Sequence, residues 1–214
     1  MNTIPFPESV KKILVALPSP RSRIAFVLAL QTGLKYSTLL KLQYEDLYLP
    51  NGVVSEVLLS KPRRATKRHP YCRYGLTPWV RTAVHTYCVA HTVTRPGAFL
   101  FAARPQRNVP VTARHLLREI KTGLQALDPE TNFEPKCVQA FYRAQMLTFL
   151  EGDKYLWRVA CGLRLPKDGP EWKTVQELKI FAAQARVVEK LCSFEFWMFW
   201  QRDGGPDKRA KECK

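Results

Sequence analysis

Apolar residues fall at helical spacing along most of this chain, with one stretch after Asp46 that reads instead as strands. The densest run, Ile24 to Leu30, lies within RSRIAFVLALQTGLKYSTLLKLQYEDL, between Arg21 and Leu47. A helix is expected there, ended at Thr32-Gly33 because a residue without Cβ takes the left-handed conformation cheaply. A second short helix follows, carrying Leu39, Leu40 and Leu42, with Ser37 as its N-cap and Glu45-Asp46 at its close. Upstream, Pro5 and Pro7 hold the first residues extended, and Ser9 caps a short helix from Val10 to Leu17 that stops at Pro18-Ser19-Pro20.

Beyond Asp46, Leu47 to Leu49, a Pro50-Asn51-Gly52 turn and Val53 to Leu59 read as strands, and Arg73 to Leu76 as a third. Thr77-Pro78 supplies the N-cap and first position of a helix to about His91, with Val80, Ala83, Val84 and Tyr87 on one face. Ala98 to Phe101, a basic loop from Arg104 to Arg107, and Pro110-Val111-Thr112 lead into a helix from Ala113 to about Leu127. Leu116, Leu117, Ile120 and Leu124 share one of its faces, and Arg114, His115, Arg118 and Lys121 the other. After Phe133-Glu134-Pro135 come a helix to about Leu150, a Gly152-Asp153 break, and a short helix from Lys154 to Cys161. Pro166 and Gly169-Pro170 open a long helix from Glu171 to about Trp200, with Val175, Leu178, Phe181, Ala182, Ala185, Val188 and Leu191 at helical spacing.

The fold class implied is mixed α+β, mainly α-helical, with a small antiparallel β-sheet or hairpin. Residues 1–20 read as an arm with a short helix, 21–202 as a single domain, and 203–214 as a disordered basic tail. No internal repeat occurs. With 46% hydrophobic and 24% charged residues, the composition is that of a folded domain.

Charge changes the picture most. The formal net charge is +16, and it is lopsided: Ser9 to Arg118 holds 18 Lys and Arg against three acids, whereas Glu119 to Lys214 holds 16 against 14. A positive field concentrated in one half of a domain favours a polyanion through phosphate neutralisation and counterion release. Nucleic acid is the first partner this suggests and an acidic membrane surface the second. The segment Lys61 to Arg68 carries five basic residues in eight; burying an unpaired ammonium costs several kcal/mol, so it belongs in solvent or on phosphates. Six cysteines without a C-x-x-C pair and four histidines form no zinc spacing, and neither a metal nor a cofactor is implied. The N-terminal residues lack an apolar signal core and the longest apolar run is too short to cross a bilayer, so a cytoplasmic protein is expected.

The Thr32-Gly33-Leu34-Lys35 sequence, followed by a Leu-rich helix and an acidic residue, resembles the opening of the tyrosine recombinase (phage integrase) catalytic domain. Two later passages resemble the same family in the same order: Leu100-Phe101 with its basic turn and following helix, and the helix, Gly turn and Gly-terminated helix from Lys136 to Gly162. The resemblance implies a catalytic-domain-like fold that embraces duplex DNA. It also implies a chemistry in which a tyrosine attacks a phosphodiester while arginines grip its oxygens. Guanidinium groups suit that task because a phosphorane gathers charge that a bidentate fork stabilises better than one ammonium.

At the family's landmarks the side chains differ. Lys35 stands where the first arginine belongs. The H-x-x-R box must lie in KCVQAFYRAQ, which holds no histidine; one register puts Gln139 at its arginine, another Arg143. Gly162-Leu163 replaces Gly-His, and counting on to the nucleophile reaches Trp172. No tyrosine follows Tyr155. Tyr142 and Tyr155 remain as relocated nucleophiles or as packing residues.

The expectation is therefore a non-catalytic double-stranded DNA-binding protein derived from a tyrosine recombinase. An accessory role on a mobile element or plasmid is implied by the family alone. The DNA-contact candidates are Lys35, Lys61, Arg63, Arg64, Lys67, Arg68, Arg104, Arg107, Arg114, Arg118 and Arg143. Phe196, Trp197 and Trp200, in the aromatic end of the last helix, either fold back on the core or form a surface for a second copy or another protein. The alternatives are an active recombinase with a displaced nucleophile or one from a partner, and a protein-interaction module.

Overall fold

The computed structural model describes residues 7–60, 72–104, 108–127, 136–161 and 170–189. Helix α1 (Pro7–Ala16) begins earlier than the Ser9 cap implies, because Pro7 takes the first helical position, where its missing N–H and fixed φ cost nothing. Helix α2 (Pro20–Thr32) is the centre of the core: Ile24 through Thr32 are all buried. Ser19 caps it by accepting from the Ser22 N–H, and Ser22 returns the bond to the Ser19 backbone. Gly33 ends it at φ 66°, and its N–H donates to Ala29 O at 2.8 Å.

Helix α3 (Tyr36–Leu39) is a single turn capped by the Lys35 backbone, so Ser37 lies within it and is not the cap. Leu39, Leu40 and Leu42 are buried as their spacing implies. A 3-10 turn, Tyr44–Asp46, follows, fastened by the Gln43 N–H donating to Asp46 Oδ2 at 2.9 Å.

The strand expected at Leu47 to Leu49 is reduced to one bridge, Tyr48 with Val54, across a turn at Gly52. Strand β1 (Val57–Ser60) pairs antiparallel with β2 (Cys72–Gly75), Val57 opposite Gly75 and Ser60 opposite Cys72. The basic stretch joins their ends and lies outside the described residues. Helix α4 (Pro78–Ala90) buries Val80, Ala83, Val84 and Tyr87, as its spacing implies. Thr77 precedes it without a side-chain capping bond, its Oγ1 buried and unpaired. A second hairpin, β3 (Ala102–Arg104) with β4 (Val109–Pro110), was not expected; its strands are too short to show a pattern.

Helix α5 (Ala113–Leu127) buries Leu116, Ile120 and Leu124, with Leu117 partly covered. It lies against α1 so closely that a Cβ on Gly123 would meet Ala16 O at 2.9 Å and Leu17 Cα at 3.0 Å. Helix α6 (Lys136–Phe149), helix α7 (Lys154–Ala160) and helix α8 (Pro170–Glu189) complete the described elements. Asp153 caps α7 by accepting from the Tyr155 and Leu156 N–H groups.

The face of α8 requires a correction. Among its described side chains Ile180, Ala183, Gln184 and Val187 are buried and Phe181 packs partly buried against the core as its spacing implies, while Leu178 is 62% exposed and Ala182 is exposed; the Val175 and Val188 side chains and Leu191 lie outside the described residues. The reason is Gln184, a polar side chain pointing inward where an apolar-only pattern finds nothing. Its Oε1 accepts from the Gly75 N–H at 2.8 Å, and its Nε2 donates to Tyr142 Oη at 2.9 Å. Gln31 Nε2 donates to the Gly75 carbonyl at 3.0 Å. Two buried amides thus satisfy both backbone groups of Gly75 and tie the end of the hairpin to α2, α6 and α8.

Candidate nucleic-acid interface

Lys35 is exposed at the start of α3, two residues beyond the left-handed Gly33. The turn is fixed from behind by α6: Gln139 Nε2 donates to Gly33 O at 3.3 Å, and the Tyr142 ring occupies the space a Cβ on Gly33 would need. Of the two registers open in the sequence, the Gln139 one puts its side chain against the Lys35 turn. Arg143 lies a turn further along α6, half-buried, and its carbonyl accepts from Trp157 Nε1 at 2.8 Å. Burial pushes the Cys161 thiol up to about 11, and the positive charge of Arg143 partly opposes the rise.

Tyr142 is 1% exposed. Its hydroxyl donates to Ala160 O at 3.2 Å and accepts from Gln184. Burial raises its pKa well above the ordinary phenol value, and the Gln184 bond opposes this only in part. Such a group is a packed hydrogen-bonding element, not a nucleophile open to a phosphodiester. Tyr155 is half-buried in the first turn of α7.

On α5, Arg114, Arg118 and Lys121 are exposed on the polar face and His115 is partly exposed. The structure therefore brings Arg114 and Arg118 to one surface and puts Gln139 against the turn that carries Lys35. Arg104 closes β3, and its side chain lies outside the described residues, as do Arg107, Lys61, Arg63, Arg64, Lys67 and Arg68. The same holds for Leu163, Phe196, Trp197, Trp200 and the Trp172 side chain.

Sequence reasoning missed Glu119, counted there only as one acid among many. Its side chain, 15% exposed, is an acceptor for Arg21 Nη2 at 3.0 Å and Ser19 Oγ at 2.8 Å, and pairs with His115 Nε2 at 3.0 Å. The i, i+4 spacing of His115 and Glu119 was the available signal. Among the described residues no cluster of metal-ligating side chains occurs, and no helix is long and apolar enough to cross a membrane.

No family model matches the chain, and no curated protein sequence matches it. Among solved structures it is similar to the crystal structure of the XerH site-specific recombinase bound to difH substrate in a pre-cleavage complex. The TM-score is 0.54 and the identity 17%, over 84% of this chain and 55% of that one, so the chain spans about half the length of that recombinase. The likeness is one of fold, and the fold is mainly helical with small antiparallel hairpins, that of a tyrosine recombinase catalytic domain.

Proposed function

We propose that this chain is a non-catalytic, sequence-selective binder of double-stranded DNA, derived from a tyrosine recombinase and serving as an accessory factor of a mobile element or plasmid. DNA transfer, maintenance and transcriptional control are the processes such a factor would serve. The observation that carries the reading is the buried Tyr142 hydroxyl, committed to Ala160 and Gln184 beside a turn that presents Lys35 where a bidentate arginine would be needed. An ammonium there still neutralises a phosphate, but it cannot grip two oxygens in a fork. The charge of the first half supports DNA as the ligand, and so does a fold shared with a recombinase bound to its substrate.

Most of the cations would hold the backbone and set register, leaving base readout to α5, the helix whose basic face is exposed. A nicked suicide duplex, which traps any covalent protein–DNA intermediate, tests the catalytic half of the reading. Denaturing electrophoresis is expected to show free protein only. A covalent band lost in Tyr155→Phe would make the chain an active strand-transfer enzyme with a displaced nucleophile.

A further inference from the structure

Arg118 is exposed on α5, yet its guanidinium has a defined partner. Its Nη2 lies 3.3 Å from His115 Nδ1, one turn earlier on the same helix. Across the ring, His115 Nε2 lies 3.0 Å from Glu119 Oε1. Arginine can only donate, so Nδ1 must accept, and the ring proton sits on Nε2 and is donated to the carboxylate.

Glu119 is held in turn. The Ser19 hydroxyl lies 2.8 Å from Glu119 Oε2, shorter than its 3.0 Å to Ser22 Oγ, and donates to the carboxylate. Arg21 Nη2 donates to Oε1 at 3.0 Å. Tyr87 of α4 borders the same pair, its hydroxyl pushed up chiefly by burial. Arg118 is therefore the last link of a chain of bonds that begins at the N-cap of α2, the most buried helix of the core.

We propose that Ser19, Glu119 and His115 form a positioning relay that aims Arg118 at a DNA phosphate, so that it acts as an oriented clamp and not as a freely moving surface cation. The inference rests on the DNA-binding reading above. With Nη2 engaged by the imidazole, the guanidinium keeps its other N–H groups for phosphate oxygens. A long side chain already restrained loses less rotamer freedom on binding.

The test compares the full chain with His115→Leu, His115→Gln, Arg118→Ala and the His115→Leu/Arg118→Ala pair on one labelled duplex over a salt series. Glutamine reproduces the relay, its amide N–H reaching Glu119 and its oxygen accepting from Arg118. Arg118→Ala should weaken binding and lower the salt slope by about one. His115→Leu should weaken binding roughly three- to tenfold, the double variant should be no weaker than Arg118→Ala, and His115→Gln should bind as the unchanged protein does. Independent, additive losses in the double variant, or full affinity in His115→Leu, overturn the relay while leaving DNA binding intact. Should His115→Leu fail to fold, the Gln variant decides: loss of affinity in a folded His115→Gln protein overturns it. An unchanged protein with no affinity for duplex removes both the relay and the function it rests on.

Discussion

At the scale of single residues, Gly33 is constrained twice over. It sits at φ 66° with the Tyr142 ring in the place of its absent Cβ. Replacing it by Ala should cost about 2 to 4 kcal/mol, from left-handed strain and overpacking together, measured by urea unfolding; a loss under about 0.5 kcal/mol contradicts the packing described. Titration offers a second check. Burial pushes the Cys88 and Cys161 thiols up to about 11 and the Tyr142 hydroxyl further above its ordinary value. The unfolded chain releases those protons from about pH 8.5 for thiols and about pH 10 for tyrosine. The stability is therefore fully present below about pH 8.5 and is lost as pH rises toward 11. Urea midpoints that stay constant from about pH 8 to pH 10.5 would contradict this. Gly33 was legible as a helix stop from its residue type alone, but Tyr142 as the reason for its size was not, because that contact spans more than a hundred residues of chain.

At the scale of elements, the helices were legible where apolar spacing and a punctuating residue agreed. Thr77-Pro78 before α4, Gly152-Asp153 before α7 and the Leu116, Ile120, Leu124 face of α5 are such cases. Legibility failed where polar atoms decide the packing. Helix α8 presents Gln184 to the interior, and the apolar Leu178 that the pattern favours is turned to solvent. Gln184→Leu should leave the Gly75 N–H without its acceptor, costing about 1 to 3 kcal/mol and loosening the hairpin base. Hydrogen exchange at Gly75 reads this directly: faster exchange is expected, and an unchanged rate would show that Gln184 does not hold the strand. The segment Lys61 to Arg68, outside the described residues, carries a separate expectation. Changing Arg63, Arg64, Lys67 and Arg68 together to Ala should weaken duplex binding and flatten its salt dependence; unchanged binding removes the case for that segment.

At the scale of the whole molecule, two levels of inference part company. The fold class follows from spacing, punctuation and three landmarks in order, and the structure has it. The candidate site was legible only as a set of cations. The bonds that hold their neighbours, such as Ser19 to Glu119, join residues a hundred positions apart, and no local pattern announces these. The proposed function has the fold bind duplex DNA through phosphate-neutralising cations and select a sequence. Its most direct measurement is the affinity of the purified protein for labelled duplexes from its own replicon, over a series of salt concentrations with unrelated competitor DNA. Affinity is expected to fall steeply and linearly in log–log form with salt, with one duplex resisting competition. Affinity indifferent to salt, or equal for every duplex, would contradict it.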